Sequence, residues 1–178
     1  MMRVFVYAFL AGIALLLQTV LLPPFFPGGV KPDLILLLTI WIGLREPPWR
    51  GGVVVYGLGW LYDAYAGTFP GLHGFVLLTV FLTVCGMATR LNTESLPLVW
   101  CLVGGGTLLQ GVLTMFAIEF FADTEQFWAV MLRSLPGQLL LNLGTAYLLR
   151  HIWPRFLKGA ALSPPPGLLP RPHRRHES

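Results

Sequence analysis

Charged residues are what this sequence has least of: they make up 11% of the chain, whereas 55% is hydrophobic. A soluble domain carries about 25% charged residues, so an ordinary soluble fold is excluded. The few charges stand between long uncharged stretches, which is typical of a chain dissolved mostly in lipid. The net charge of +4 does not indicate nucleic-acid binding, because the basic residues lie at the ends of apolar segments and in the C-terminal tail.

Residues for covalent or metal chemistry are also scarce. Cys85 and Cys101 each lie inside an apolar run and are predicted to be small buried hydrophobic residues. The histidine that opens the fourth apolar segment, His73, has no further ligands at metal-site spacing, so we expect a hydrogen-bonding group at a helix end. No serine stands in a Gly-x-Ser-x-Gly setting, a Ser134–His73 dyad is disfavoured, and the glycines at 104–106 lack the Lys-Ser/Thr of a phosphate loop. We expect no enzyme, no metal and no cofactor.

Six apolar segments predict an all-α integral membrane protein with about six transmembrane helices. They cover residues 4–22, 30–44, 51–66, 72–91, 96–121 and 127–149. The first is too long for the core of a signal peptide and no small-x-small cleavage site follows it, so it is read as an uncleaved span. A span needs about 20 residues, which makes the second and third segments short. The polytopic domain is assigned to 1–153.

The distribution of basic residues predicts that both termini are cytoplasmic. With six spans and the N-terminus inside, ten of the twelve lysines and arginines fall on the inner side, Lys31 falls outside and Arg133 lies within a span. A chain with five spans and its N-terminus outside also places ten basic residues on the inner side, so the number of spans stays open. Residues 154–178 are rich in proline and arginine, which indicates a disordered basic cytoplasmic tail that contacts anionic lipid or only enforces the topology.

Polar and small residues within the spans are the candidates for internal contacts. Asp63 and Arg133 are placed at similar depth in the outer half, and we expect them to pair, directly or through Glu119 or a water, or else to reach the outer headgroups separately. Gln110, Gln138 and Asn142 predict either interhelical hydrogen bonds or the lining of a cavity. Small residues at helical spacing predict packing faces, at Gly52, Gly59, Gly104, Gly111, Gly137 and Gly144.

Residues 31–75, "KPDLILLLTIWIGLREPPWRGGVVVYGLGWLYDAYAGTFPGLHGF", resemble the signature region of the MreD family of rod-shape-determining proteins. Pro32 and Asp33 open a leucine-rich span, and a short charged turn leads to a Gly-rich span that ends in Asp. A Gly-x-x-Pro-Gly-Leu-His turn follows. The matching residues of this second part are Asp63, Gly67, Pro70, Gly71 and His73.

The resemblance implies a non-catalytic, multi-pass scaffold in the bacterial inner membrane that takes part in cell elongation and lateral peptidoglycan synthesis. The implied partners are an MreC-like single-span periplasmic protein, RodA, a class B penicillin-binding protein and MreB. The implied fold is similar to that of the substrate-binding subunits of energy-coupling-factor transporters. The motif residues are expected to be structural, with Asp63 fixing the junction between span and turn.

A substrate-binding subunit of a small-molecule, vitamin-type transporter is the alternative. Six spans, a short outer turn and polar residues in the outer half fit both classes. Transport requires several polar groups that converge on an outer pocket, and the sequence alone offers few that packing does not explain.

Overall fold

The computed structural model describes residues 2–25, 30–66, 70–89, 96–122 and 127–159, and all regular secondary structure in these ranges is helical. The prediction of an all-α fold is therefore confirmed. The six α-helices are α1 Met2–Leu16, α2 Leu34–Arg45, α3 Pro48–Ala66, α4 Leu72–Ala88, α5 Leu96–Ala122 and α6 Phe127–Gly159. A π-helical turn, Leu17–Leu21, and a 3₁₀ turn, Pro23–Phe25, extend α1.

Helix α2 is the centre of the bundle, and it packs against each of the other five α-helices. Its buried residues occupy more than half of the helix circumference, at Ile35, Leu36, Leu37, Thr39, Ile40, Ile42 and Gly43. The helix begins at Leu34, four residues later than the predicted segment, because Asp33 has an extended backbone and acts as the N-cap. At 12 residues α2 is about 18 Å long, well short of the ~30 Å hydrocarbon thickness of a bilayer.

Helices α3 and α4 form a hairpin with the most extensive contact in the fold. Gly71 ends the turn between them with a φ of 91°, a left-handed conformation that glycine adopts without a steric penalty. Gly59 lets the two backbones touch: a Cβ there would lie 2.7 Å from the carbonyl oxygen of His73 and still closer to Gly74. The hairpin is therefore held by close backbone approach.

Helices α5 and α6 pack side by side and cover α2 and α4. Helix α6 ends at Gly159, so it continues past the predicted end of its span at 149 and past the domain boundary at 153. Pro154 lies within this extension, and one proline removes a single backbone hydrogen bond without ending the helix here. The rest of the predicted tail, 160–178, lies outside the described residues.

Two hydrophobic clusters form the core. One contains residues of α1, α2, α3 and α4 and is centred on Phe81. The other contains residues of α2, α4 and α5 and is centred on Leu36 and Val80. Cys85 is buried in the first cluster, as predicted, and its thiol contacts the carbonyl of Gly43 at 3.5 Å. Cys101 is exposed. The prediction that it is buried was wrong, because an apolar neighbourhood in sequence does not tell which face of α5 is packed.

The outside of the bundle is strongly apolar. Phe120 is 84% exposed, Val53 is 74% exposed, and Phe9 and Leu140 are each exposed by about 70%. Among the described residues, one helical stretch, Pro97–Phe120, has both the length and the hydropathy of a membrane span. The apolar stretches Val6–Leu21, Leu34–Arg45 and Leu72–Ala88 are shorter.

Candidate functional site

Asp33 is the hub of a buried polar network at the start of α2, called here the Asp33 end. Its Oδ1 accepts a hydrogen bond from the backbone N–H of Leu36 at 3.0 Å, which caps α2. Its Oδ2 accepts from Nε2 of Gln110 on α5 at 2.6 Å. One carboxylate thus closes the start of α2 and ties it to α5.

Asn142 on α6 completes the network from the other side. Its Oδ1 accepts the backbone N–H of Asp33 at 2.7 Å, and its Nδ2 donates to Oγ1 of Thr107 at 3.0 Å. Thr107 in turn donates to the carbonyl of Val103 at 2.7 Å. Asn142 is fully buried, so this side chain supplies the partner that the extended backbone before α2 would otherwise lack.

The π-helical turn brings Gln18 into the same region. Leu22 N–H donates to the carbonyl of Leu17, the i to i+5 pattern of a π-helix, and the side chain of Gln18 is buried. The Lys31 ammonium donates to the backbone carbonyl of Gln18 at 3.3 Å. The turn after α1 is thereby connected to the segment that leads into α2.

The carboxylate of Asp63, at the end of α3, organises the turn into α4. It accepts from the backbone N–H of Gly71 at 2.9 Å and of His73 at 3.1 Å, and Nδ1 of the His73 ring lies 2.7 Å from Oδ1. An ionised carboxylate only accepts hydrogen bonds, so the proton of this contact sits on Nδ1. The His73 ring also packs edge-on against Tyr62, with centroids 4.6 Å apart.

A cavity of about 190 Å³ lies among these groups. Its polar lining includes Gln18 from the π-helical turn and Lys31 and Asp33 from the segment before α2. It also includes Tyr62 and His73 from the α3–α4 hairpin and Gln110 from α5. Ser134 and Gln138 of α6 line it as well. The oxygens Oε1 of Gln18 and Oε1 of Gln110 are buried and have no hydrogen-bond partner among the described residues. Several polar groups therefore converge on one concave site, the usual form of a small-molecule site.

The predicted motif residues lie at helix ends around this site. Pro32 and Asp33 are buried before α2, and Asp63, Gly71 and His73 meet in the α3–α4 turn. Pro70 is exposed in that turn, whereas Gly67 lies outside the described residues. Among them, Asp33 accepts a hydrogen bond from the backbone at the start of α2, and Asp63 accepts hydrogen bonds from the backbone at the start of α4.

The predicted charge pair of Asp63 and Arg133 stays a prediction. The carboxylate of Asp63 is buried and engaged by the turn and by His73, whereas Arg133 and Glu119 are both exposed on their helices. The hydrogen bonds of the turn show that backbone N–H groups and the His73 ring engage this carboxylate locally.

The glycines predicted to pack helices differ in their surroundings. An added Cβ would be crowded at three of them. At Gly59 it would meet the backbone of α4, as described above. At Gly111 it would lie 2.7 Å from the Leu135 side chain, and at Gly137 it would lie 3.0 Å from the Val30 side chain. Gly52 and Gly104 have room for a Cβ at ordinary contact distance. An added Cβ at Gly144 would meet no atom within 4 Å, and its packing role stays a prediction.

Sequence reasoning missed Gln18 and the internal role of Lys31. Gln18 is a polar residue in the first apolar segment, and that exception to an apolar run is the signal that points to it. Lys31 was counted only as an outer charge. Gln110, Gln138 and Asn142 were named with two open roles, and the structure gives both: Asn142 bridges helices, Gln138 lines the cavity, and Gln110 does both.

Comparisons of the chain with models of protein families, with curated proteins and with solved structures give no match.

Proposed function

We propose that this chain is a multi-pass membrane scaffold of the MreD kind, which binds an MreC-like single-span protein and helps to direct lateral peptidoglycan synthesis. The observation that carries the proposal is the use of the signature residues. Asp33 caps α2, and Asp63 holds Gly71 and His73 in the α3–α4 turn. Residues that fix the ends of helices give the protein a surface of constant shape, which suits a scaffold that a partner protein binds.

The distribution of polarity supports a membrane location. Large apolar side chains such as Phe9, Val53 and Phe120 are exposed, while Asp33 and Asn142 are buried. In water this arrangement leaves a large apolar surface uncovered, which monomeric soluble proteins rarely do. In a bilayer the same surface is solvated by lipid, and the buried polar groups become contacts between helices.

Aromatic and basic residues support the predicted orientation. The guanidinium of Arg45 lies 4.5 Å from the ring centroid of Trp41, and that of Arg50 lies 4.6 Å from the ring of Trp49. Both pairs stand at the junction of α2 and α3, opposite the Asp33 end. Tryptophan and arginine together are typical of a cytoplasmic membrane interface.

Affinity purification of the tagged full chain from native membranes tests this proposal. We expect an MreC-like protein to be recovered, together with RodA or the penicillin-binding protein. Asp63→Ala should weaken that recovery, because the turn loses the acceptor that holds Gly71 and His73 in place. Thr83→Val, on the exposed face of α4, serves as the control. Recovery by Asp63→Ala equal to that of the wild type would contradict the proposed role of the turn.

The cavity favours a second candidate, a substrate-binding subunit of a small-molecule transporter. Transport needs polar groups that converge on an outer pocket, and the cavity at the Asp33 end provides such a lining. The same purification separates the two functions. Recovery of paired ATPases and a coupling subunit, without an MreC-like protein, would replace the scaffold with the transporter.

A further inference from the structure

The cavity at the Asp33 end presents acceptors that no protein group satisfies. Oε1 of Gln18 and Oε1 of Gln110 are buried and lack partners among the described residues, and both side chains line the cavity. The orientation of the Gln110 amide follows from its contact, because Nε2 donates to Asp33 and Oε1 must point elsewhere. A buried acceptor without a donor costs about 1–3 kcal/mol, so a bound molecule with N–H or O–H groups would be stabilised here.

One further group in the lining accepts hydrogen bonds. The carboxylate of Asp33 has lone pairs beyond those used by Leu36 and Gln110. Three acceptors from three parts of the fold suit a group with several N–H donors, and a primary ammonium has three.

Lys31 adds a cation to the same lining. Its ammonium has one protein contact given by the structure, the carbonyl of Gln18 at 3.3 Å, and it has three donors in all. Lys31 and Asp33 balance each other, so the lining favours a ligand that carries both signs of charge over a simple cation or anion. The volume of about 190 Å³ equals roughly six water molecules, which is the size range of a small polar molecule.

We propose that this cavity binds a small zwitterion that carries a primary ammonium and an anionic phosphate or carboxylate. The ammonium is recognised by Gln18, Gln110 and Asp33, and the anionic group by Lys31. Such chemistry occurs both in free solutes and in the headgroup of an aminophospholipid. Binding is a property of the purified chain and does not depend on the proposed scaffold function.

Binding to the purified full-length protein in detergent micelles tests the proposal. Short-chain phosphatidylethanolamine is compared with the matching phosphatidylcholine, whose nitrogen carries methyl groups in place of N–H donors. Phosphoethanolamine and β-alanine test free solutes, and phosphocholine is their control. Dissociation constants come from the ligand dependence of the thermal unfolding midpoint. We expect the primary ammonium compound to bind at least about tenfold more tightly than its methylated counterpart, the effect of losing one charge-assisted hydrogen bond.

Gln18→Met and Gln110→Met remove the unpartnered oxygens while keeping a side chain of similar length. Each is expected to weaken binding of the primary ammonium compound about tenfold and to leave binding of the choline compound unchanged. Gln18→Met should also fold at least as well as the wild type, because it removes an unsatisfied buried group. Thr83→Val, on the exposed face of α4, is the matched control and should leave both affinities unchanged.

The outcomes identify the source of the ligand. Preference for phosphatidylethanolamine without binding of phosphoethanolamine or β-alanine assigns the site to a lipid headgroup, and binding of either free compound assigns it to a solute. Equal binding of the ammonium and choline compounds, or binding that Gln18→Met and Gln110→Met leave intact, would overturn the proposal. If none of the lipids or free compounds binds, the proposal is also overturned, and the cavity would be assigned to water.

Discussion

The two ends of α2 are completed in different ways. At the Asp33 end, side chains from distant parts of the chain, Gln110 and Asn142, meet the start of α2. At the opposite end, α2 passes into α3 through residues 46–47, and the backbone supplies a local contact, the bond from Glu46 N–H to the carbonyl of Ile42 at 2.8 Å. The start of α2 is completed by tertiary hydrogen bonds, whereas its end combines a local backbone bond with a hydrogen bond from Tyr7 to Glu46.

The difference follows from the length of α2. A helix of 12 residues is shorter than α5 and α6, and its start lies beside Gln110 and Asn142 in the middle of those helices, so the space beyond its start must be filled by something else. That space is polar: it contains the extended residues before α2, the capping side chain of Asp33, and the cavity that Lys31 and Asp33 line. The comparison predicts that substitutions at this end are costly when they break a shared contact, and that substitutions at the other end are milder.

Asn142→Leu should have the largest effect. It leaves the Asp33 N–H without its acceptor and removes the donor to Thr107, and we expect a loss of about 3 kcal/mol in the free energy of unfolding. Unfolding of the purified protein in detergent, followed by circular dichroism, measures it. A loss below about 1 kcal/mol would show that the network contributes little and that the two ends do not differ in this way.

Gly59→Ala should come next, because an added Cβ meets the backbone of α4, which cannot rotate away. We expect a loss of about 2 kcal/mol as the two helices separate. Gly57→Ala is the matched control on the same helix, since nothing lies within 4 Å of its added Cβ. It should be neutral or slightly stabilising, through better helix propensity. Equal effects of the two substitutions would contradict the close approach of α3 and α4.

Tyr7→Phe probes the opposite end. It removes the hydrogen bond from the tyrosine hydroxyl to Oε1 of Glu46, which is 3.0 Å long and partly buried. The expected loss is about 0.5–1 kcal/mol, the net value of an ordinary hydrogen bond. A loss as large as that of Asn142→Leu, in the same unfolding measurement, would remove the distinction between the ends.

Thr39→Val should have the smallest effect and the opposite sign. The hydroxyl of Thr39 is buried in the middle of α2 and has no partner among the described residues. Replacing it with a methyl group should stabilise the fold by up to about 1 kcal/mol. Thr107→Val is the contrasting variant, because its hydroxyl has two hydrogen bonds. Destabilisation by Thr39→Val would mean that its hydroxyl has a partner, such as a buried water.

The sequence predicted the helices well and the polar contacts only in outline. Apolar runs and their charged borders located all six α-helices, because period and composition are local properties. The start of α2 was misplaced because the segment was drawn from Val30, ahead of the N-cap Asp33. The extended backbone there is paired with Asn142, which is distant in sequence. Asp63 was recognised as a junction residue, but its partners depend on a turn whose geometry the sequence does not specify.

The bond between Asp33 and Asn142 joins residues 109 positions apart, and this separation sets an order of assembly. At about 5–20 residues per second, the ribosome completes Asn142 roughly 5 to 20 s after Asp33. During that interval α2 is a short helix whose start lacks its Asn142 partner, and α6 is the last of its neighbouring helices to be made. The contacts at the start of α2 are therefore completed only when most of the chain has been synthesised.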